Sequence, residues 1–368
     1  MTPTRAQLRA MRLAAQRIGS PASVGTAAGP VLDVVAHMTA LQAQDLGQAL
    51  WAIGVRALGT TRADVRAALD RGDVVRSWPM RGTLHVLRPD DLRMLSSRTA
   101  ARTIRQTARR RAQLGLDDTV VDQARSVVID ALHGGRSLPR DDLFARWREH
   151  GIDPTGGRGT HLLLHLAVEG LVAWGPTNGT GQDLVLLDEW APAVQPVPDR
   201  DEALGRLMVG YLRGRGPATE ADAASWTKLP LADVRRGVAV AGEAVEDLGD
   251  GVLALADRVP TRPVAPVHLL PGFDEQLLGY ADRTAHLDTE HADRVVPGGN
   301  GVFLPMVLHR GHVVGTWSRS ERTHDVRVTV TAFVPLPPAV TRALRPAGDR
   351  YARFLGRPLD LHLHADTD

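Results

Sequence analysis

The sequence has no cysteine, and Lys228 is the only lysine among its 44 lysine and arginine residues. The first absence excludes disulfides, thiolate nucleophiles and cysteine-ligated zinc or iron–sulfur centres. Long hydrophobic runs are also missing: Leu162-Leu163-Leu164 is far short of the roughly 20 apolar residues of a membrane-spanning helix. No long apolar stretch follows Arg5, Arg9 and Arg12, so no secretory leader is expected and a cytoplasmic location is the simplest expectation. There is no low-complexity segment, no H-E-x-x-H arrangement and no G-x-S-x-G elbow. Gly156-Gly157-Arg158-Gly159-Thr160 precedes a helix and has room for one phosphate, but it lacks the P-loop lysine, which argues against nucleotide hydrolysis. Neither a cofactor nor a metal is expected.

What is present is a pattern that recurs three times. An acidic helix leads through a turn to a second helix and then to paired strands. The clearest copy runs from Gly216 to Val238: Thr219 is an N-cap candidate with Asp222 three residues on, and Leu229-Pro230 breaks the chain between helices. A helix-turn-helix followed by a hairpin is a winged helix, a module that usually docks on nucleic acid. With 368 residues, 43% of them hydrophobic, the chain has enough material for two or three such modules.

Periodicity predicts helices over 4–18, 29–41 and 60–70, then strands from Val74 to Leu87 broken at Arg81-Gly82. This gives a first winged-helix unit at 1–88. A wholly helical, arginine-rich connector follows at 89–135. A second unit at 136–199 has helices near 140–149 and 158–170 and a hairpin around Asn178-Gly179. The third unit spans 200–257. Prolines 260, 263, 266 and 271 read as a linker, and a β-rich C-terminal region at 258–368 carries strands over 301–335, a closing helix near 338–355 and a terminal strand at 361–364. The expected fold class is α+β, mainly helical, with three tandem winged-helix motifs around a concave DNA-binding cleft.

The net charge of +2 conceals an arginine-based positive charge. A GC-rich genome explains the totals, so clustering carries the information. Arg5, Arg9 and Arg12 share one helical face. Arg102, Arg105, Arg109, Arg110 and Arg111 crowd one segment without an acid until Asp117, as suits phosphate tracking. His161 and His165 stand at i, i+4 but lack a third ligand, and read as part of a recognition helix or a half-buried surface.

The segment Leu41-Gln42-Ala43-Gln44-Asp45 is unusual in texture. On a continuous helix Gln42 and Gln44 would point about 200° apart, so they can serve one site only if the backbone leaves the helix there. Two amides side by side can hold a water. From the residues alone, a polar helix terminus is the simpler reading.

Taken together, that segment, Arg76-Ser77-Trp78-Pro79-Met80-Arg81-Gly82-Thr83-Leu84-His85, the third helix-turn-helix, the stretch Leu269 to Arg283 (LLPGFDEQLLGYADR) and Val314-Gly315-Thr316-Trp317-Ser318-Arg319 resemble the winged-helix DNA glycosylases of the AlkZ/YcaQ type over nearly the whole chain. The resemblance implies a monofunctional glycosylase that removes N7-alkylguanine from double-stranded DNA carrying bulky or crosslinked adducts, often as self-resistance to a genotoxic natural product. Its catalytic Gln-x-Gln pair falls on Gln42 and Gln44, nearer the AlkZ branch than the Gln-x-Asp branch, with Asp45 outside the motif. Arg5, Arg9, Arg12, Arg81, His85, Arg109, Arg110, Arg310 and His312 are the candidate DNA contacts, the last two at a hairpin tip. Asp282 and Arg283 are expected to form an internal ion pair. The lone lysine lies in a helix-turn-helix, so no Schiff base and no lyase activity are expected. No membrane contact and a monomer are expected. The alternative is a winged-helix transcription regulator or a non-catalytic DNA-binding protein.

Overall fold

The computed structural model describes residues 2–20, 29–258 and 265–365. They fall into two compact units, one made of residues 1–65 and 204–368 and the other of 66–203.

The 66–203 unit is organised by two hairpins that share a sheet. Strand Val75–Met80 pairs antiparallel with Thr83–Leu87, with Ser77 opposite His85, and joins Val172–Asn178 through Arg76 and Trp174. Gly181–Leu186 pairs with Val172–Asn178, and Leu138–Pro139 with Gly181–Leu186. The first hairpin turns at Arg81 (φ 60°) and Gly82 (φ 67°), the left-handed pair that suits the twist of a two-residue turn. Helices Pro89–Gln113, Asp118–Leu132, Arg140–Glu149 and Arg158–Val168 belong to the same unit. Their apolar faces form one core around Trp147, Leu143, Leu162, Leu166 and Val128, with Trp78 and Trp174 in edge-to-face contact at 4.7 Å.

The connector is helical as expected, in two helices separated by a short turn. Gly115 adopts φ 62°, and Asp117 caps the new helix by accepting from Val120 N at 2.9 Å. The expected first unit at 1–88 is divided. Its wing, Val75 to Leu87, belongs to the 66–203 unit, because strand edges are satisfied by other strands rather than by neighbours in sequence.

In the other unit, helices Arg5–Ala15, Gly29–Met38 and Leu46–Gly54 precede Arg200–Arg215, which straddles the boundary between units, and the third helix-turn-helix. The latter is helix Glu220–Thr227, with the Thr219–Asp222 capping box formed as its sequence implies, then Leu231–Ala241, then the small hairpin Val245–Asp247 with Leu253–Leu255. Helix Leu46–Gly54 was not legible in the sequence. It is buried along nearly its whole length, so it lacks the polar face that makes a helix periodic. Trp51 inside it donates to Leu269 O at 2.8 Å and packs on Tyr351 and Phe354.

A five-stranded sheet forms the C-terminal part, in the order Leu359–Ala365, Val326–Ala332, His312–Glu321, Met306–His309 and Val267–Leu270. Helix Pro338–Leu355 connects the one parallel pair, as a parallel crossover requires. The proline-rich passage is not wholly a linker: Val267–Leu270 is a buried strand paired with Met306–His309. Pro260 and Pro263 lie outside the described residues. The alternation over 301–335, the closing helix and the terminal strand are as the sequence indicated. The fold class is α+β, mainly helical, with tandem winged-helix motifs and a β-rich C-terminal part.

Trp147 is fully buried and its Nε1 donates to Ala124 O at 3.1 Å. Trp147→Ala should destabilise the 66–203 unit by about 3–5 kcal/mol through the cavity it leaves, read as a lowered urea midpoint.

Candidate active site and nucleic-acid interface

Helix Gly29–Met38 ends three residues earlier than its periodicity suggests. Thr39 takes φ 64°, and Ala40 N donates to Met38 O at 2.7 Å. The chain then runs extended through Leu41–Gln42, and Asp45 is again extended (φ −106°, ψ 121°) before helix Leu46–Gly54 begins. The backbone therefore does leave the helix at the Gln-x-Gln segment. Leu41–Gln42 is extended and the chain bends at Gln44, so the separation that a continuous helix would impose no longer applies to Gln42 and Gln44. Gln42 is 9% exposed, and Gln44 is open to solvent. Asp45 is occupied as an N-cap, with Oδ1 accepting from Gln48 N at 2.9 Å.

A buried polar frame underlies this segment. Glu275 Oε1 accepts the Gln42 backbone N–H at 2.9 Å. Its Oε2 accepts from Trp226 Nε1 at 2.8 Å and from Arg215 Nε at 3.0 Å. Arg215 in turn donates to Met38 O at 2.9 Å and Ala40 O at 2.6 Å, with its guanidinium 4.0 Å above the Trp226 ring. The neighbouring acid, Asp274, accepts from both Nη groups of Arg56 at 2.9 and 2.8 Å, both side chains fully buried. Gln16 links the two pairs: its Oε1 accepts from Arg56 and its Nε2 donates to Tyr280 Oη, which donates to Arg215 O. Sequence reasoning missed Arg215, Trp226, Glu275 and Arg56. The available signal was the adjacent acids Asp274-Glu275 inside the apolar run from Leu269 to Tyr280.

The candidate DNA contacts divide by burial. Along helix Arg5–Ala15, Arg5 is exposed, Arg9 is half-buried and donates to Ala285 O at 3.1 Å, and Arg12 is 4% exposed. Arg12 donates to Pro217 O at 2.8 Å, lies 3.7 Å from Asp222 and stacks 3.7 Å over the Tyr280 ring. It is an internal tie and not a groove contact; the helix rolls that end of its arginine row into the core. His85 is also buried, at 0% exposure. Its Nε2 faces Arg81 Nη2 at 2.9 Å and its Nδ1 faces Thr83 O at 2.9 Å. A guanidinium only donates, so Nε2 accepts and Nδ1 carries the proton. His85 thus braces the hairpin and does not present its own ring to a ligand.

Arg109 and Arg110 are exposed near the end of helix Pro89–Gln113, with Arg105 and Arg102 exposed about one and two turns earlier. Arg310 is exposed at the turn between Met306–His309 and His312–Glu321, and His312 Nε2 lies 3.3 Å from Asp288. Asp282 and Arg283 take other partners than each other: the carboxylate accepts from Thr284 N, while Arg283 donates to Leu277 O and lies 4.9 Å over Phe303. His165 is buried against Arg111 at 2.9 Å and Glu169 at 3.3 Å, and desolvation holds its pKa below the usual value. Among the described residues no helix is long and apolar enough to cross a membrane, and no cluster of three or more histidine, aspartate or glutamate side chains could hold a metal ion.

Tandem helix-turn-helix motifs with wings, exposed arginine rows and a non-helical Gln-x-Gln segment set on buried ion pairs define a DNA-binding enzyme of the winged-helix glycosylase class. Residues 35–354 match the family model for DNA glycosylase AlkZ-like proteins, and the chain belongs to that family. It is a DNA glycosylase. An interstrand DNA cross-link repair glycosylase from Streptomyces sahachiroi is 26% identical over 342 residues, covering 88% of this chain and 90% of that protein. The solved structure of Streptomyces sahachiroi DNA glycosylase AlkZ superposes with a TM-score of 0.80 at 25% identity, covering 99% of this chain and all of the other.

Three buried histidines in the 1–65/204–368 unit make stability pH-dependent. Burial, reinforced by Arg17, Arg350 and Arg12 respectively, lowers His37 to about 4, His268 to about 4 and His286 to about 3. Each is neutral in the fold, and the unfolded chain binds the extra proton once pH falls below about 6.5. Their contribution is complete above that pH. Each then loses about 1.4 kcal/mol per pH unit until its folded pKa is reached. Urea midpoints should be level above about pH 6.5 and fall steadily from there to about pH 4.5, and a flat profile across that lower range would contradict the neutral burial of these rings.

Proposed function

We propose that this glycosylase hydrolyses the N-glycosidic bond of N7-alkylguanine in duplex DNA, including guanines joined in an interstrand crosslink, and that Gln42 and Gln44 order the attacking water. The observation that carries the reading is the Gln-x-Gln segment itself, released from both flanking helices and tied to Glu275 through the Gln42 backbone. The name of the Streptomyces sahachiroi relative supports the crosslink part of the proposal.

The chemistry suits amides. An N7-alkylguanine is already cationic, so its bond to C1′ breaks with the electron pair passing to N9, and the base departs neutral without a general acid. The sugar becomes oxocarbenium-like, and a water oxygen bonds to C1′ and releases one proton to solvent. Orientation of that water by amide oxygens is the main contribution asked of the protein, with modest electrostatic help. Lys228, exposed at the turn after helix Glu220–Thr227, is the chain's only lysine, so we read the enzyme as monofunctional.

In this reading Arg102, Arg105, Arg109, Arg110 and Arg310 contact phosphates, with Arg5, Arg81 and His312 as further contacts and Arg9 shared with its internal bond. The three helix-turn-helix copies at 1–88, 136–199 and 200–257, the connector and the β-rich region are its docking modules. The protein acts as a cytoplasmic monomer without a cofactor, and protection of a producer from its own genotoxic product is the physiological setting we favour.

Two experiments test this. Purified protein incubated with duplexes carrying N7-methylguanine or a nitrogen-mustard crosslink should release free base, and Gln42→Ala/Gln44→Ala should abolish release while binding DNA nearly as well. Release from neither duplex, or undiminished release by the double variant, would refute the assignment. Separately, neutralising Arg102, Arg105 and Arg109 to Gln should flatten the plot of log K against log salt by about 0.9 for each phosphate that is no longer neutralised. An unchanged slope would place the duplex elsewhere.

A further inference from the structure

The contacts of Arg215 and Glu275 follow a regular pattern along the backbone beneath the glutamines. They engage Met38 O, Ala40 O and Gln42 N, every second residue of the segment. These groups flank the point where the chain passes from helix at Met38, through the left-handed Thr39, to extended backbone at Leu41–Gln42. Arg215 supplies the donors for positions 38 and 40, and Glu275 the acceptor for 42. Both are essentially inaccessible to water, with side-chain exposures of 0% and 1%, and their own charges meet at 2.8 Å. Trp226 adds a hydrogen bond to Glu275 and a π-face to Arg215.

Stability alone is a weak reason to keep such a pair. Desolvating two charges costs about as much as their attraction returns, and well-packed apolar replacements are often neutral or stabilising. What apolar residues cannot do is satisfy three backbone groups that have left the helix. Geometry at the segment is also where a reaction that depends on an oriented water is most sensitive, since a displacement of about 1 Å costs as much as 100-fold in rate.

We propose that Arg215 and Glu275 are positioning residues for the water-ordering amides: a charged side-chain pair that satisfies the backbone groups of Met38, Ala40 and Gln42 where the chain leaves the helix, and so fixes where Gln42, and through it Gln44, is presented. The proposal rests on the amide reading given above. It asks for no contact between Glu275 and the DNA.

Glu275→Asp is the informative substitution. It keeps the charge that balances Arg215, but it is shorter by one carbon–carbon bond, about 1.5 Å, and cannot reach both Arg215 and the Gln42 N–H. Single-turnover release of N7-methylguanine should fall about 10- to 100-fold, while the dissociation constant for the same duplex stays within about threefold. In the Gln42→Ala/Gln44→Ala background, at long incubation times, the same substitution should cause no additional loss, because the two changes remove one function. If the glutamine double variant loses activity but Glu275→Asp turns over like the parent, positioning is refuted and the amide reading stands. If the glutamine double variant keeps the parental rate, the amide reading itself is refuted. Should Glu275→Asp not fold, amide hydrogen exchange on the unmodified protein decides: the Gln42 N–H should be protected as strongly as the core strand Val267–Leu270, and loop-like exchange would overturn the proposal.

Discussion

The chain can present its Gln-x-Gln segment only because a buried cation and a buried anion satisfy the backbone there. Between Met38 and Leu46 the protein gives up helical hydrogen bonds, and a stretch so largely buried cannot recover them from water. Arg215 and Glu275 take up those bonds, at 2.6 to 2.9 Å. The rest of the frame follows from the need to hold these two charges in place. Trp226 and Tyr211 pack against the guanidinium, and Tyr280 accepts from Gln16 and donates to Arg215 O. Arg56 and Asp274 form a second buried pair one residue away in sequence from Glu275. Burial on this scale raises the Tyr211 and Tyr280 phenols above their ordinary pKa, so they stay neutral hydrogen-bonding groups.

Arginine occupies two different environments in this protein, and helix Arg5–Ala15 shows both within three turns. Its arginines share a face, yet they pass from exposed through half-buried to buried as the helix runs into the core. A planar guanidinium serves equally well as a phosphate fork or as a bracket for carbonyls and rings. The surrounding fold, not the side chain, selects between them. Arg102, Arg105, Arg109 and Arg110 lie on a helix whose C-terminal half is largely solvent-facing. Arg12, Arg56 and Arg215 are enclosed and find carboxylates, carbonyls and aromatic faces instead.

Most elements with a periodic face were legible in the sequence. The capping box at Thr219 and Asp222, the turn at Arg81-Gly82, the hairpin near Asn178 and the closing helix all carry local signals that the fold respects. Helix Leu46–Gly54 carried none, since a helix enclosed on all sides has no polar face to set its period. The break at Gly115 was hidden because a single glycine in an arginine-rich helical pattern is tolerated as often as it terminates one. Strand Val267–Leu270 was obscured by the prolines flanking it. The Gln-x-Gln motif was visible as residues, and the condition it had to meet, non-helical backbone, was deducible. Its supporting charges were not, because Arg215 and Glu275 are remote from Gln42 in sequence.

The sequence by itself determined the helices and strands that carry a periodic face, the winged-helix texture and the presence of two amides at a helix break, because these depend on neighbours within a few residues. Tertiary structure alone decided which arginines face water and which are enclosed. It also set the sheet partners of each hairpin and the charges that hold residues 38–42. The physical reason is that a buried charge or an unpaired backbone group needs a partner close in space, and only the folded chain specifies what that partner is.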